Sequence, residues 1–289
     1  MSEAVPVLDK RAVRLAFDRA AATYDGAAVL QREVRGRMLE RLDYVKIEPT
    51  ALLDAGCGTG EALPLLRARY PGARAVAFDL ALAMLTRTQA RAPRWQQWLG
   101  RAPGAVCGDL EALPFRDEAF GLVWSNLALQ WCNAPDKVFA DVRRALAPGG
   151  LFVFSTFGPD TLKELRAAFA AADGRPHVNR FIDMHDLGDL LVHAGFANPV
   201  MDMEILTVTY EDVMAVMRDL KAIGAHNVNA GRPAGLSGRR MLAAVRDGYE
   251  RFRRDGRLPA TFEVVYGHAW KPEPRLSPTG RPVIDIKKR

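Results

Sequence analysis

The most constraining feature of this sequence is a glycine-rich stretch that follows an apolar run. Residues 52–60 read Leu-Leu-Asp-Ala-Gly-Cys-Gly-Thr-Gly. Glycines at this spacing permit a tight turn and the close approach of the backbone to a ligand. A strand, a glycine-rich turn and a helix from about Glu61 together predict a nucleotide site. The residues of the loop expected to hold that ligand are Asp54, Gly56, Cys57, Gly58 and Gly60.

The loop differs from two common nucleotide motifs. A phosphate-binding P-loop ends in Gly-Lys-Ser/Thr, which is absent, and a dinucleotide fingerprint has the spacing G-x-G-x-x-G instead of the G-x-G-x-G found here. Asp54, just before the glycines, is poorly suited to a pyrophosphate. It suits a ligand with a positive centre and an amino group, and S-adenosylmethionine has both.

The next two predicted strands also end in acidic residues. Residues 70–79 read as a turn and a second strand ending in Asp79, about 20 residues past the glycines, where a carboxylate can accept from both ribose hydroxyls. A third strand over residues 105–110 brings Asp109 to the adenine exocyclic amine and the Leu110 amide to a ring nitrogen. Each acid alone could equally form a turn or cap a helix. Together with the glycines they indicate S-adenosylmethionine.

Further residues are predicted to complete this edge of the sheet. Fourth and fifth strands are expected over residues 120–127 and 146–156, and ligands of open α/β sheets bind beyond the carboxyl ends of the strands. The additional cofactor candidates are Leu80 and Met84, which could pack on adenosine, and Ser125 and Asn126 at the end of the fourth strand.

This ordered set over residues 45–156 resembles the class I S-adenosylmethionine-dependent methyltransferases. The resemblance implies an α/β, Rossmann-like fold with a seven-stranded, mostly parallel sheet, an antiparallel last strand and a helical cap. The expected divisions are an N-terminal helical lid over 1–44, the core over 45–211, a helical cap insertion over 212–258, the last core strand over 259–270 and a disordered basic tail over 271–289.

Composition fits one large domain in a reducing compartment. The chain has 289 residues, of which 49% are hydrophobic, enough for a sizeable core. No apolar run is long enough to span a bilayer, and the first residues do not resemble a signal peptide. The three cysteines lack metal-ligand spacing and are odd in number, so we expect buried thiols, no metal and a cytoplasmic location.

Four segments outside the cofactor motifs carry a narrower resemblance. Residues 17–25, 125–131, 175–181 and 220–229 closely resemble the malonyl-acyl-carrier-protein O-methyltransferases of biotin synthesis. This resemblance implies methylation of the free carboxylate of a malonyl thioester. The complex I assembly-factor relatives, which are reported to hydroxylate a protein arginine, share part of the pattern. Another small-molecule methyltransferase and a non-catalytic assembly protein also remain open.

A carboxylate acceptor requires no general base, because it is already ionised at neutral pH with a pKa of about 4. What it requires is a cationic partner, and arginine provides the best fork for a carboxylate. Surface ion pairs and ordinary packing are the alternatives for each candidate. The predicted acceptor-side residues are Tyr24 in the lid, Asn126 and Gln130 near the methyl, and Arg175, Arg180, His177, Lys221 and His226 around the carboxylate; Tyr24, Asn126 and Arg180 are the catalytic candidates.

Positive charge is concentrated late in the chain. The net charge is +6, and residues 239–257 contain seven arginines against three acidic residues. We expect this basic segment either to be merely solvated or to dock an acidic partner such as acyl carrier protein. Nucleic acid is not expected as a partner, because aromatic and basic residues do not interleave. The sequence leaves the oligomeric state open.

Overall fold

The computed structural model describes residues 7–93, 98, 102–173, 177–225 and 238–274. The described strands are β1 (Ala51–Ala55), β2 (Arg74–Asp79), β3 (Gly104–Cys107), β4 (Phe120–Asn126), β5 (Leu146–Phe157), β6 (Ala197–Tyr210) and β7 (Leu258–Trp270). The described helices are α1 (Lys10–Ala20), α2 (Tyr24–Ala27), α3 (Val29–Arg41), α4 (Leu63–Arg69), α5 (Leu82–Arg91), α6 (Pro135–Ala145), α7 (Lys163–Ala172), α8 (Met184–His193), α9 (Val213–Ala222) and α10 (Arg239–Glu250).

The seven strands form one sheet in the order β3-β2-β1-β4-β5-β7-β6. β1 to β5 pair in parallel, and β7 pairs antiparallel with both β5 and β6. The predicted fold class is therefore confirmed. The sheet reverses its order between β1 and β4, so the loops after these strands open a crevice at the carboxyl edge, where doubly wound sheets bind ligands.

The two faces of the central strands pack against different helices. On one face Trp124 of β4 belongs to the same apolar cluster as Val34 and Met38 of α3. On the other face Val123 of β4 packs with Phe139 of α6. Burial on both faces explains the near-continuous apolar runs of these strands, and it gives the crevice a rigid base.

Local sequence signals place most element boundaries. Asp9 caps α1 by accepting hydrogen bonds from the backbone amides of Arg11 and Ala12, in the manner typical of helix N-caps. The third strand is shorter than predicted and ends at Cys107, so Asp109 and Leu110 lie in the following loop. The helix expected from Glu61 begins two residues later.

The cap insertion and the tail are described only in part. α9 and α10 lie at its two ends, and residues 226–237 between them are outside the described ranges. α10 buries Val245 and Tyr249. The predicted disordered tail begins too early, because the Lys271 amide donates to the Gly150 carbonyl at 2.8 Å and extends the β5 pairing. Within the described ranges no helix is both long and apolar enough to cross a membrane.

Candidate active site

The glycine loop after β1 adopts a backbone that requires glycine. Gly56, Gly58 and Gly60 have φ values of +81°, +55° and +79°, in the left-handed region that other residues avoid. A Cβ on Gly56 would lie 2.3 Å from the Cβ of Ala128, and one on Gly60 would lie 2.5 Å from the Cγ2 of Thr88. Gly60 thus shapes the loop through packing.

The loop and the ends of β2 and β4 enclose a cavity of about 590 Å³, here called the loop cavity. Its mixed polar and apolar wall suits a nucleoside. It is lined by Lys10, Val13, Phe17, Tyr24, Gly56, Gly58, Asp79, Leu80, Gly108, Asp109, Leu110, Asn126, Leu127, Ala128, Trp131 and Cys132.

Asp79 is held firmly at the floor of the loop cavity. Its Oδ2 accepts from the Gly58 amide at 2.8 Å, and its Oδ1 accepts from the Ala81 amide at 2.8 Å. Burial raises its pKa to about 6, although these backbone hydrogen bonds act in the opposite direction. A fixed carboxylate between strand end and glycine loop is placed to accept from ribose hydroxyls.

Beside the glycine loop lies a second pocket of about 400 Å³, here called the Arg35 pocket, which shares Tyr24 and Asn126 with the loop cavity. Three of its buried polar atoms have no hydrogen-bond partner in the described structure: Asp54 Oδ2, Arg35 Nε and Gln31 Oε1. Unpaired buried polar groups are costly and uncommon. Arg35 Nη1 already donates to Glu61 Oε2 at 2.6 Å. The groups left for a ligand are the Arg35 Nε–H donor and the Asp54 Oδ2 acceptor, which match the carboxylate and the ammonium of an amino acid, so the pocket fits the methionine end of S-adenosylmethionine.

Asp54 itself is 2% exposed. Burial, and then the charge of Asp79, raises its pKa to about 8, while the charge of Arg35 acts in the opposite direction. A cationic amino group in the pocket would relieve this cost. Sequence reasoning identified Asp54 but missed Arg35, which reaches the pocket from α3, one turn after Gln31.

Asp109 and Leu110, the residues proposed to contact adenine, line the loop cavity together with Lys10, which was not predicted. Lys10 Nζ donates to Asp109 Oδ1 at 2.9 Å and to Glu111 Oε1 at 2.6 Å. Burial lowers the pKa of Lys10, but Cys132, Glu111 and Asp109 outweigh that effect and raise it. Lys10 went unnoticed because its partners lie about 100 residues away in the sequence.

Two predicted cofactor residues do not line these cavities. Ser125 is 1% exposed and its hydroxyl donates to the Ala55 carbonyl at 2.8 Å, because its position on β4 turns it into the sheet. Met84 is 1% exposed and packs with Ala21 and Ala81 beneath the N-terminal segment. Leu80 lines the loop cavity, and Cys57 lines the Arg35 pocket with its thiol pKa raised by burial.

The N-terminal segment, which was predicted to form a lid, packs against the glycine loop and α5 and lines part of the loop cavity. Asp25 accepts from the Thr59 hydroxyl at 2.6 Å and pairs with Arg91, which ties α2 to the glycine loop. Asp18 accepts from the Ala83 amide at 3.0 Å at the start of α5. Burial, and then the charge of Asp79, raises the pKa of Tyr24, so its hydroxyl stays neutral.

Tyr24 also faces a further chamber of about 730 Å³, here called the aromatic cavity. This chamber shares Phe17, Tyr24, Leu127 and Trp131 with the loop cavity, so the two are adjacent. The other described lining residues are Gln31, Gln130, Phe157, Thr161, Leu162, Leu165, His177, Val178, Asn179, Phe181, Leu220, Ile223, Ala225 and Phe262. None of these described residues is acidic, and His177 is the one that can become cationic.

Polar residues of the aromatic cavity are oriented by neighbouring contacts. His177 stacks on Phe169 with ring centroids 4.1 Å apart, and its Nε2 lies 2.9 Å from Asp173 Oδ2. Gln130 Nε2 donates to the Leu127 carbonyl at 2.7 Å. Asn179 Oδ1 is buried without a partner in the described structure, a feature that sequence reasoning did not anticipate.

Asn126 lies on the loop-cavity side of the junction. Its Nδ2 donates to the Gln31 carbonyl at 3.0 Å, and its Oδ1 accepts from Ser155 at 2.9 Å. The following residue, Leu127, has a φ of +49°. This strained turn carries both residues to the boundary between the two cavities.

The predicted cationic residues are more dispersed than expected. Arg180 lines a separate groove of about 710 Å³, here called the Arg180 groove, which shares Gln130, Phe157, Asn179 and Phe181 with the aromatic cavity. Lys221 is exposed on α9 and does not line the aromatic cavity, because its neighbour Leu220 occupies the inward position. Arg175 and His226 lie outside the described residues.

Comparison with known proteins agrees with this geometry. Residues 53–154 match the family described as "Methyltransferase domain". The solved [4+2]-cyclase SpnF is similar in fold, with a TM-score of 0.59 and 20% identity over 94% of this chain and 100% of that one. The fold, the glycine loop and the fitting cavity define an S-adenosylmethionine-dependent class I methyltransferase.

Two relatives narrow the assignment. A "Malonyl-[acyl-carrier protein] O-methyltransferase" of Gallionella capsiferriformans is 56% identical over 96% of both chains. One of the same name from Laribacter hongkongensis is 58% identical over 92% of this chain and 91% of its own. The chain belongs to the malonyl-[acyl-carrier protein] O-methyltransferase family.

Proposed function

We propose that this protein methylates the free carboxylate of a malonyl group carried as a thioester on acyl carrier protein. The observation that carries the proposal is the aromatic cavity beside the loop cavity, whose described lining residues include no acid. An anionic acceptor meets no carboxylate among the described lining residues there. Family membership at 56–58% identity supports the same acceptor.

S-adenosylmethionine, when bound, supplies an electrophilic methyl group on a sulfonium. The acceptor carboxylate is already ionised, so no side chain has to remove a proton. One oxygen–carbon bond forms and one carbon–sulfur bond breaks, with its electron pair left on sulfur. The protein contributes alignment and exclusion of water, which suits a mechanism based on positioning.

Tyr24, Asn126 and Gln130 are the proposed positioning groups at the junction. Tyr24 lies between the two cavities with a neutral hydroxyl that can donate a hydrogen bond. Gln130 and Asn126 are anchored to backbone carbonyls at 2.7 and 3.0 Å. Groups held in this way lose little entropy when a substrate binds.

Recognition of the malonyl group is assigned to His177, with Arg180 in the adjoining groove. Asp173 orients the His177 imidazole, whose Nε2 lies 2.9 Å from Asp173 Oδ2. Asn179, whose Oδ1 has no hydrogen-bond partner in the described structure, and Gln130 line both the aromatic cavity and the Arg180 groove. Arg175 and His226 remain candidates from the sequence.

The carrier protein is the proposed partner of the basic segment. Arg246 and Arg251 are exposed on and just after α10, where they can steer an acidic partner. The methyl ester would mask the malonyl charge and so start synthesis of the pimeloyl precursor of biotin. The free cysteines support a reducing compartment, the cytoplasm, as the place of this reaction.

The direct test incubates the protein with methyl-labelled S-adenosylmethionine and malonyl-acyl carrier protein. We expect label in a base-labile methyl ester on the malonyl group. Acetyl-acyl carrier protein, which lacks the free carboxylate, is the matched control and should remain unlabelled. Restored growth of a biotin-requiring mutant that lacks this enzyme is the expected result in cells. If the malonyl group carried no label, or if the malonyl and acetyl thioesters were labelled equally, the result would falsify the proposal.

A further inference from the structure

Lys10 joins the N-terminal lid to the adenine end of the loop cavity. It is the first residue of α1, its side chain is 24% exposed, and it lines that cavity. Its ammonium lies between two acidic groups, Asp109 Oδ1 at 2.9 Å and Glu111 Oε1 at 2.6 Å. This cation therefore contacts the acid assigned to adenine directly.

These contacts leave one carboxylate oxygen of Asp109 available. Oδ1 accepts from Lys10 and also from the Glu111 amide at 3.1 Å. Among the described residues, Oδ2 has no hydrogen-bond partner. A carboxylate fixed through one oxygen presents the other in a defined direction, and an amine of the ligand is the donor that fits it.

The chain just before Lys10 is attached to the same region. The Leu8 amide donates to Asn133 Oδ1 at 2.7 Å, and Asn133 Nδ2 donates back to the Leu8 carbonyl at 3.1 Å. The Asn133 amide in turn donates to Glu111 Oε1 at 2.6 Å. Residues 8–10 thus form a strap across the edge of the loop cavity.

We propose that Lys10 is a positioning residue for cofactor recognition, which orients Asp109 toward the adenine exocyclic amine and holds the strap closed over the adenosine. The proposal rests on the assignment of the loop cavity to S-adenosylmethionine and of Asp109 to adenine. It does not depend on which acceptor is methylated. It gives the lid a role in reading the base as well as in excluding water.

Calorimetric binding of S-adenosylhomocysteine tests this without any acceptor. Lys10→Met keeps the alkyl stem and removes the ammonium. We expect the affinity to fall about tenfold, as for one charge-assisted hydrogen bond, and Lys10→Arg to restore most of it. Lys137→Met, at an exposed position on α6, is the matched control and should bind normally.

An analogue of S-adenosylhomocysteine with purine in place of adenine distinguishes a role of Lys10 in orienting Asp109 from a purely structural role. It lacks the exocyclic amine, so Lys10→Met should weaken its binding less than threefold. Equal losses for both ligands, or no loss for either, would overturn the proposal. Hydrogen exchange of residues 8–20 gives a second readout, since the ligand should protect this segment less in Lys10→Met than in the wild type. Failure to methylate malonyl thioesters would leave these binding results intact.

Discussion

The two cavities that meet at Tyr24 are built in different ways. The loop cavity takes Asp79 and Asn126 from the ends of neighbouring strands, and Asp79 is fixed there by backbone amides at 2.8 Å. The aromatic cavity takes its wall from six segments spread between residues 17 and 262. One half is specified by the sheet itself, and the other depends on how lid, cap and loops pack over it.

Because the two cavities are built from different parts of the chain, the residues that set the affinity for the cofactor differ from those that select the acceptor. A strand-end carboxylate cannot move without disturbing the sheet, so its geometry is kept whatever substrate is used. SpnF, a cyclase of similar fold, illustrates that this fold hosts different reactions. Substitutions in the two halves should therefore affect different constants.

The largest effect is expected from Asp79→Asn in the loop cavity. The variant removes charge-assisted hydrogen bonds to the ribose, each worth about 1.5–3 kcal/mol, so affinity for S-adenosylhomocysteine should fall about 100-fold or more. Calorimetry measures the affinity, with the exposed Asp136→Asn on α6 as control. An affinity within about threefold of the wild-type value would contradict the assignment of the loop cavity to the cofactor.

Asp54→Asn should show how much folding stability the protein loses by burying the Asp54 carboxylate in the Arg35 pocket. The pKa of Asp54 is raised from 3.8 to about 8 in the folded protein, so stability is lost as the pH rises through that interval. The neutral variant escapes this loss. Urea unfolding without cofactor should therefore show the variant more stable than wild type by several kcal/mol at pH 9, with a smaller difference at pH 5.

The same Asp54→Asn variant should bind the cofactor more weakly, because the amino group loses its acidic partner. Stability and binding would then change in opposite directions at one residue. If the stability difference between variant and wild type were independent of pH, Asp54 would not be the titrating group.

His177→Ala should act on the acceptor half alone. Loss of one hydrogen-bond partner should raise KM for the malonyl thioester about tenfold and leave the affinity for S-adenosylhomocysteine unchanged. Steady-state kinetics and calorimetry measure the two constants. His185→Ala, whose side chain is 84% exposed on α8, is the control. An equal loss in both constants would show that the two halves are coupled.

The smallest effect is expected at the surface. Arg246→Glu combined with Arg251→Glu should raise KM for the carrier-bound substrate about threefold to fivefold at low salt, and less at high salt. KM for malonyl-coenzyme A should not change. Arg116→Glu, exposed in the loop between β3 and β4, serves as control. An identical change with both thioesters would place these arginines near the malonyl group itself.

The order of the motifs in the sequence was sufficient to predict the sheet and much of the lining of the loop cavity. The glycines and Asp79 follow strands directly, so local pattern determines where they lie, and both were predicted. Lys10 in the loop cavity and Arg35 in the neighbouring Arg35 pocket were missed because they reach these sites from helices, across about 100 and 20 residues of sequence respectively. Ser125 was misplaced because a one-residue change on a strand reverses the face.

The acceptor half was harder to predict for a physical reason. Its residues meet only through tertiary packing, so spacing in the sequence carries little information about which side chains face inward. Arg180 lines the adjoining groove, and Lys221 points outward while Leu220 lines the cavity. His177 was placed near the acceptor by resemblance, and its contact with Asp173 came from the structure alone.

The position of β7 between β5 and β6 also bears on how the chain folds during synthesis. Until Leu258–Trp270 leaves the ribosome, β5 has an open edge and β6, made some fifty residues earlier, has no partner within the sheet. Open edges invite pairing with other chains. The sheet therefore stays incomplete until β7 has been made, and β7 then covers the edges of both β5 and β6.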